Sequence, residues 1–293
     1  MAILEEIPFG SYRVEAGLCM RDGMLINGIL TNAEVWYGMT DEDYNALEKV
    51  DEHLLRGILK AHSKTSKELL YLETGTTPIR FIIMKRRLAY LHHLLTRNKS
   101  ELISKVYFAQ QRKPVKNDWF LTVQDDMKKI SLNLSENSIA SMKKENFKKY
   151  LNKEIQNNAF EYLIGKAETH SKSKKIPYDC FKIQKYITDN RFSTEEKILL
   201  FKLRTSMDDV KFNFKSMYDN DLACNLCPEG DTQDTAHLLL CQTLIDNCPD
   251  LYNDVLVEYE HIFKGTNDQL MAIKLYREVF KVKHSLSENL VDD

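Results

Sequence analysis

Residues 224–241 read Cys-Asn-Leu-Cys-Pro-Glu-Gly-Asp-Thr-Gln-Asp-Thr-Ala-His-Leu-Leu-Leu-Cys, and their spacing constrains this chain more than any other feature. Cys224 and Cys227, with two residues between them, can grip one metal ion from a tight turn. His237 and Cys241, four positions apart, face one side of a helix and close a tetrahedron. The pattern C-x2-C-x9-H-x3-C is that of a Cys3His zinc knuckle. Pro228, Glu229, Gly230 and Asp231 supply the turn between its halves, and Thr232 or Thr235 caps the helix that carries the second pair. Four protein ligands leave no position for water or substrate, so a Zn2+ ion held here is structural. The competing reading is three ordinary buried thiols, since free cysteine is among the most buried residue types; four ligands at this spacing favour the metal. Cys248, outside the short helical spacing, is a spare. Chelation, or replacement of Cys224 and Cys227 by serine, is expected to melt residues 216–245 and leave the rest of the chain folded on its own core.

The remainder is written in helical periods. From Ser11 to Leu30, Val14, Leu18, Met24, Leu25 and Ile29 recur at helical spacing, interrupted by Gly17 and Gly28. Asp41 is placed to cap a helix over 42–61 with Leu47, Val50, Leu54, Leu55 and Ile58 as its buried stripe. Thr77-Pro78 reads as a cap and first-turn proline ahead of Phe81, Met84, Leu88, Leu91 and Leu95, the clearest helix in the chain. Amphipathic stretches follow at about 101–111, 118–130, 143–167, 194–207, 250–263 and 268–284. Polar links at 112–117, 133–137 and 170–176 separate them, and the last is the best linker candidate. No strand alternation persists and no repeat appears. The expected fold is all-α, a helical array with a small C-terminal zinc knuckle, and 293 residues suffice for one large or two smaller domains.

Charge is segregated. The net charge is −2, yet residues 85–215 hold 28 Lys+Arg against 15 Asp+Glu, leaving 13 against 28 elsewhere. The middle is therefore a candidate polyanion surface, with Lys85, Arg86, Arg87, Lys143, Lys144, Lys148 and Lys149 as phosphate contacts to RNA or DNA. The plainer reading is that these side chains are solvated helix faces. The knuckle lies in an acidic segment, 5 basic against 15 acidic residues over 216–293, and suits a staple better than a reader of phosphate. No apolar run is long enough to span a bilayer and no apolar leader follows Met1. Six cysteines, three of them in the knuckle, do not form a disulfide framework. The expectation is a soluble intracellular protein, nuclear or cytoplasmic, with no membrane partner.

Taken in order, several blocks resemble the C-terminal part of non-LTR (LINE-type) retrotransposon reverse transcriptases. They are Asn32-Ala33-Glu34-Val35-Trp36-Tyr37-Gly38, Leu54-Leu55-Arg56, Glu68-Leu69-Leu70-Tyr71-Leu72-Glu73-Thr74-Gly75, Pro78-Ile79-Arg80, Arg86-Arg87-Leu88, Asp118-Trp119 and the knuckle. The resemblance runs from about Ser11 to His284, and the Tyr-Leu-Glu-x-Gly block and the knuckle are its most specific parts. It implies a thumb-like helical region over 11–111, a basic helical linker region over 112–215, and a knuckle with C-terminal helices over 216–285. It also implies contacts to template or target nucleic acid through Arg80, Arg86, Arg87 and the knuckle, and a polymerase palm and fingers as partners in a parent polyprotein.

The palm carboxylates that would bind two magnesium ions are missing from the expected place. Met207-Asp208-Asp209 follows the thumb-like block, has Ser206 where an aromatic belongs, and ends a helical run, which suits a loop at a helix C-terminus. Asp125-Asp126 and Asp292-Asp293 are the other pairs. A nuclease built on Pro249-Asp250 with Glu258 or Glu260 and Lys264 would need strands where the tail reads helical. His92-His93 reads as a helix-surface pair, and Cys19 and Cys180 lack a nearby base. The expected function is thus non-catalytic nucleic-acid binding, with Tyr90, Trp119, Tyr150 or Tyr186 available for base stacking. The alternatives are a helical protein-interaction module with a structural zinc site, or a piece of a longer reverse transcriptase that is inactive alone.

Overall fold

Capping side chains decide where the helices begin. Thr40 and Asp43 form a reciprocal capping box that starts α2 (Asp41–Leu59), so the cap is Thr40 and the sequence assignment to Asp41 is corrected by one residue. Ser66 caps α3 (Lys67–Thr74), Asp118 caps α6 (Trp119–Lys129), Ser135 caps α7 (Glu136–Ser141), and Ser193 with Glu196 boxes α10 (Thr194–Arg204). Helix α4 (Ile79–Thr96) starts at Pro78 without a side-chain cap. Thr77 instead presents its carbonyl to Arg21 at 3.0 Å.

The computed structural model describes residues 13–169, 176–218, 221–227, 230–247 and 259–289. The protein is all-α. Helix α1 (Arg13–Met20) runs on through a π-helical stretch, Arg21–Ile26, into Asn27–Ile29. Beyond the helices already given, α5 is Leu102–Arg112, α8 Lys144–Ala167, α9 Lys185–Thr188, α11 Gln242–Asn247 and α12 Thr266–Asn289. Short 3-10 turns stand at Ala33–Val35, Lys211–Met217, His237–Leu239 and Tyr259–Phe263. Among the described residues the single strand-like pairing is the antiparallel bridge Ala223 to Thr232. No described helix is long and apolar enough to cross a membrane. The linker read at 170–176 and the helix start read at 250 fall largely outside the described residues, as do Cys248, Pro249 and Asp250.

Three apolar clusters form the interior. One packs Phe81, Met84, Leu88 and Leu91 of α4 against Trp119, Val123, Phe147, Leu151 and Ile155. A small one gathers Ile26, Leu30, Ala33, Tyr44, Ile79 and Ile83. The largest draws on Val14, Leu55, Leu70, Leu163, Phe201, Leu238 and Val279, joining residues far apart in sequence.

The face that α2 buries differs from its apolar stripe. Val50 is 46% exposed, while Glu48 and Asp51 are buried. These acids have partners. Arg21 donates through Nε and Nη2 to Asp51 at 2.6 Å each, and Tyr71 adds its hydroxyl at 3.0 Å. Arg87 donates to both oxygens of Asp126 at 2.6 and 2.9 Å. Arg204 reaches Glu73 at 3.1 Å, and Glu73 also accepts from Tyr178 (2.7 Å) and Tyr186 (2.9 Å). A buried charge survives only when paired and hydrogen-bonded, and all three pairs meet that condition.

Candidate metal centre and basic groove

The four knuckle residues converge. Sγ of Cys224, Cys227 and Cys241 and a ring nitrogen of His237 all lie within 4.8 Å of one another, and Cys227 Sγ is 3.5 Å from His237 Nε2. Ligand bonds of ~2.3 Å to sulfur and ~2.0 Å to nitrogen at tetrahedral angles place a sulfur and a nitrogen about 3.5 Å apart, so the site has the dimensions of a four-coordinate metal centre. The cysteines are free of disulfides and the three thiols are buried; 9% of the His237 side chain is exposed.

Local backbone builds this arrangement. Cys224 N–H donates to Asp231 O (2.7 Å) and Gln233 N–H to Leu222 O (2.7 Å), closing a small hairpin in which Gly230 takes φ +66°. His237 sits on a single 3-10 turn whose first N–H donates to Asp234 Oδ1 at 2.7 Å. This corrects two expectations: the cap is Asp234, and the pair rides on a 3-10 turn followed by the start of α11. Thr235 is occupied elsewhere, donating to buried Asp208. Asp231 stands 3.9 Å from His237 Nδ1, beyond hydrogen-bond distance, with its carboxylate largely exposed.

The three thiols differ in their electrostatics. Burial opposes the Cys224 thiolate, but N–H donors from Leu226 and Cys227, with His237 and Gln233, outweigh it and bring the thiol down to about 7. Burial and the neighbouring Cys224 push Cys227 up, and burial, with both neighbouring thiols, pushes Cys241 up to about 12. Three sulfurs this close ionise together only around a positive ion. The cluster can therefore hold a metal ion, and it belongs to the largest core, where Leu238, Leu239 and Leu244 pack with Ala272, Tyr276 and Val279.

The basic residues divide into two groups. Arg87 is fully buried against Asp126 and cannot meet phosphate. Arg80 is engaged by Glu48 at 2.6 Å and lies over the rings of Tyr44 and Tyr162. Both are structural, because a guanidinium on the inward face of α4 is retained there by a carboxylate. Arg86 donates to Leu30 O and to Asn27 Oδ1 at its edge. Lys143, Lys144, Lys148 and Lys149 are exposed at the start of α8. Burial, then Lys148 and Arg86, lower the Lys85 ammonium; burial, then Arg97 and Lys144, lower His93. Arg86 and His93 of α4 and Lys144 of α8 line one groove of about 600 Å3, together with Tyr90 and Met142 and with Glu34 as its acidic member, whereas Lys85 lines a neighbouring cavity with Arg21 and Asp22.

Of the aromatic residues read as stacking candidates, Tyr90 lines this groove and packs on His93 at 5.9 Å. Tyr150 is half-buried. Trp119 and Tyr186 are core residues: the Trp119 indole donates to Glu34 O, and Tyr186 serves Glu73. His92 is also interior, stacked on Phe147 at 4.9 Å, a correction to its reading as a surface residue.

Sequence reasoning missed the supporting shell. Asp234, three residues before His237, has a capping signature that was legible. Gln233, whose amide reaches Cys224 Sγ at 3.8 Å, and Asp208 have no local signal. Comparison with protein-family models, curated proteins and solved structures yields no match. Fold and site define an all-α protein with a Cys3His cluster that can hold a metal ion.

Proposed function

We propose that this protein is a non-catalytic nucleic-acid-binding protein related to the C-terminal region of LINE-type reverse transcriptases, with a structural Zn2+ ion held by Cys224, Cys227, His237 and Cys241. Three thiolates and one imidazole in a closed tetrahedral set suit zinc over harder cations. RNA or DNA would lie along the α4–α8 groove, with Lys85, Arg86, Lys143, Lys144, Lys148 and Lys149 on phosphates and Tyr90 against a base.

One observation carries the reading. Arg86 of α4 and Lys144 of α8 line the same groove as Tyr90, and among the described residues Glu34 is the one carboxylate in its lining. Cations gathered in a groove beside an aromatic ring favour a polyanion from outside. The test is titration of single-stranded RNA and duplex DNA at several salt concentrations. Affinity should fall steeply with salt, and Lys144→Glu with Lys148→Glu should flatten the slope by about one for each phosphate that is no longer neutralised. A salt-insensitive affinity, or none for either polymer, removes the proposal.

A second reading, a protein-interaction module, is favoured by α5, which leaves Leu102 78% and Val106 50% exposed on one face. Leu102→Asp with Val106→Asp would abolish partner capture under that reading and leave nucleic-acid titrations unchanged.

A further inference from the structure

A separate cavity of about 450 Å3 opens where the end of α2 meets α10, the Lys211–Met217 turn and α12. Leu199, Phe214 and Phe280 provide an apolar, aromatic wall; Lys60, His62 and Lys202 line it as well. The chain kinks at Phe214 (φ −124°, ψ 38°), and its ring meets His62 edge to face at 4.9 Å. The other rim charges are paired. Arg277 reaches Glu196 at 3.4 Å, Lys281 reaches Glu278 at 2.6 Å, and Asp209 is met by Lys283 and His284 at 3.7 and 3.6 Å. Buried Asp208 accepts from Thr235 and Asn213. Among the described residues Lys60 and Lys202 have no carboxylate partner, so the cavity keeps a positive excess beside an aromatic surface.

Lys60 is also strained. It ends α2 in the left-handed region, φ +46°, where glycine or asparagine normally stands and where the lysine Cβ is crowded by its own backbone. A cation at an exposed helix C-terminus gains little from the dipole. The helix alone therefore gives little reason for lysine here, whereas a ligand for its ammonium group does.

We infer that this cavity binds a nucleoside phosphate, with the phosphate on Lys60 and Lys202 and the base on the surface of Phe214 and Phe280. Pockets of ~300–1,000 Å3 with an apolar wall and few polar groups are the common form of small-ligand sites, and one nucleotide fits that range. Two ammonium groups suit a phosphate, and aromatic faces suit a planar base. The ligand arrives either free or as the phosphorylated end of a strand. The inference is independent of the α4–α8 groove.

The test titrates the full-length protein with adenosine 5′-monophosphate and with inorganic phosphate, by calorimetry. The monophosphate should bind at least about tenfold tighter than phosphate. Lys202→Glu should weaken it about tenfold or more. Lys60→Gly, which relieves the left-handed backbone, should fold at least as stably as wild type and still bind several-fold more weakly. A 5′-phosphorylated oligonucleotide that outbinds its 5′-hydroxyl twin in wild type, but not in Lys202→Glu, identifies a strand end as the source; equal binding of the twins identifies the free nucleotide. Groove variants Lys144→Glu and Lys148→Glu should leave monophosphate affinity unchanged. No binding at millimolar monophosphate, affinity equal to that of phosphate, or wild-type affinity in both Lys60→Gly and Lys202→Glu overturns the inference.

Discussion

Thr235 donates its hydroxyl to both carboxylate oxygens of Asp208, at 3.0 and 2.8 Å, tying the hairpin of the metal cluster to the end of α10. Asn213 adds a third bond to Asp208 at 2.9 Å, and Tyr276 donates to the Thr235 carbonyl at 3.1 Å. Asp208 of the Met207-Asp208-Asp209 run lies in the loop after α10, as its sequence context predicts, and holds the Cys3His hairpin through Thr235.

Burial pushes Asp208 up to about 6, against its hydrogen bonds, from an ordinary value of 3.8. An acid whose folded pKa is raised favours the protonated folded state. Its contribution is greatest below pH ~4, declines as pH rises to ~6, and is constant above; the span corresponds to on the order of 3 kcal/mol. The stability of wild type minus that of Asp208→Asn, which cancels proton-linked metal loss common to both, should fall across this window. A flat difference between pH 4 and 6 would show that Asp208 stays ionised throughout.

Metal removal should reach beyond the knuckle. The sequence expectation confines melting to 216–245, but Cys224, Cys227 and Cys241 share the largest core with Ala272, Tyr276 and Val279 of α12. Structural zinc contributes ~10–16 kcal/mol of apparent binding free energy in small fingers at neutral pH. One zinc per chain is expected on elemental analysis. Chelation, or Cys224→Ser with Cys227→Ser, should raise amide hydrogen exchange in α12 as well as in the hairpin. Exchange confined to the hairpin would mean that α12 holds without it.

Arg87 and Asp126 form a buried pair whose guanidinium also donates to Tyr44 at 2.8 Å. Arg87→Met leaves Asp126 uncompensated and should cost ~3–5 kcal/mol in denaturant unfolding. Arg87→Met with Asp126→Leu should regain most of that, because neither charge remains. The exposed Lys144→Met, on the same measurement, should stay within ~0.5 kcal/mol of wild type.

Gly75 takes φ +61° at the end of α3, and a Cβ there would stand 2.1 Å from Ile183 N and 2.4 Å from Lys182 C. Both are backbone atoms, so no rotamer relieves the clash. Gly75→Ala should therefore exceed by several fold the ~1 kcal/mol of a left-handed alanine alone. Gly165→Ala, with open space around its Cβ, should be neutral or stabilising. Thermal unfolding of the two variants makes the comparison, and equal midpoints would contradict it.

How much was legible depends on the range of the interaction. The stripe from Phe81 through Leu91 announces α4, and the Cys3His spacing announces a site that closes within 18 residues, because both are set by local geometry. The strain at Lys60 and the buried acids of α2 leave no such trace.

What the amino-acid order determined by itself is the all-α class, the buried face of α4 and the four side chains that converge in the Cys3His cluster, since each follows from a repeat or spacing of a few residues. Which charges face solvent was decided only by tertiary packing. Arg86 and Arg87 are neighbours in sequence, yet one reaches the groove while the other is neutralised by Asp126, 39 residues away. A guanidinium's fate depends on whether a distant carboxylate arrives beside it, and no local pattern encodes that meeting.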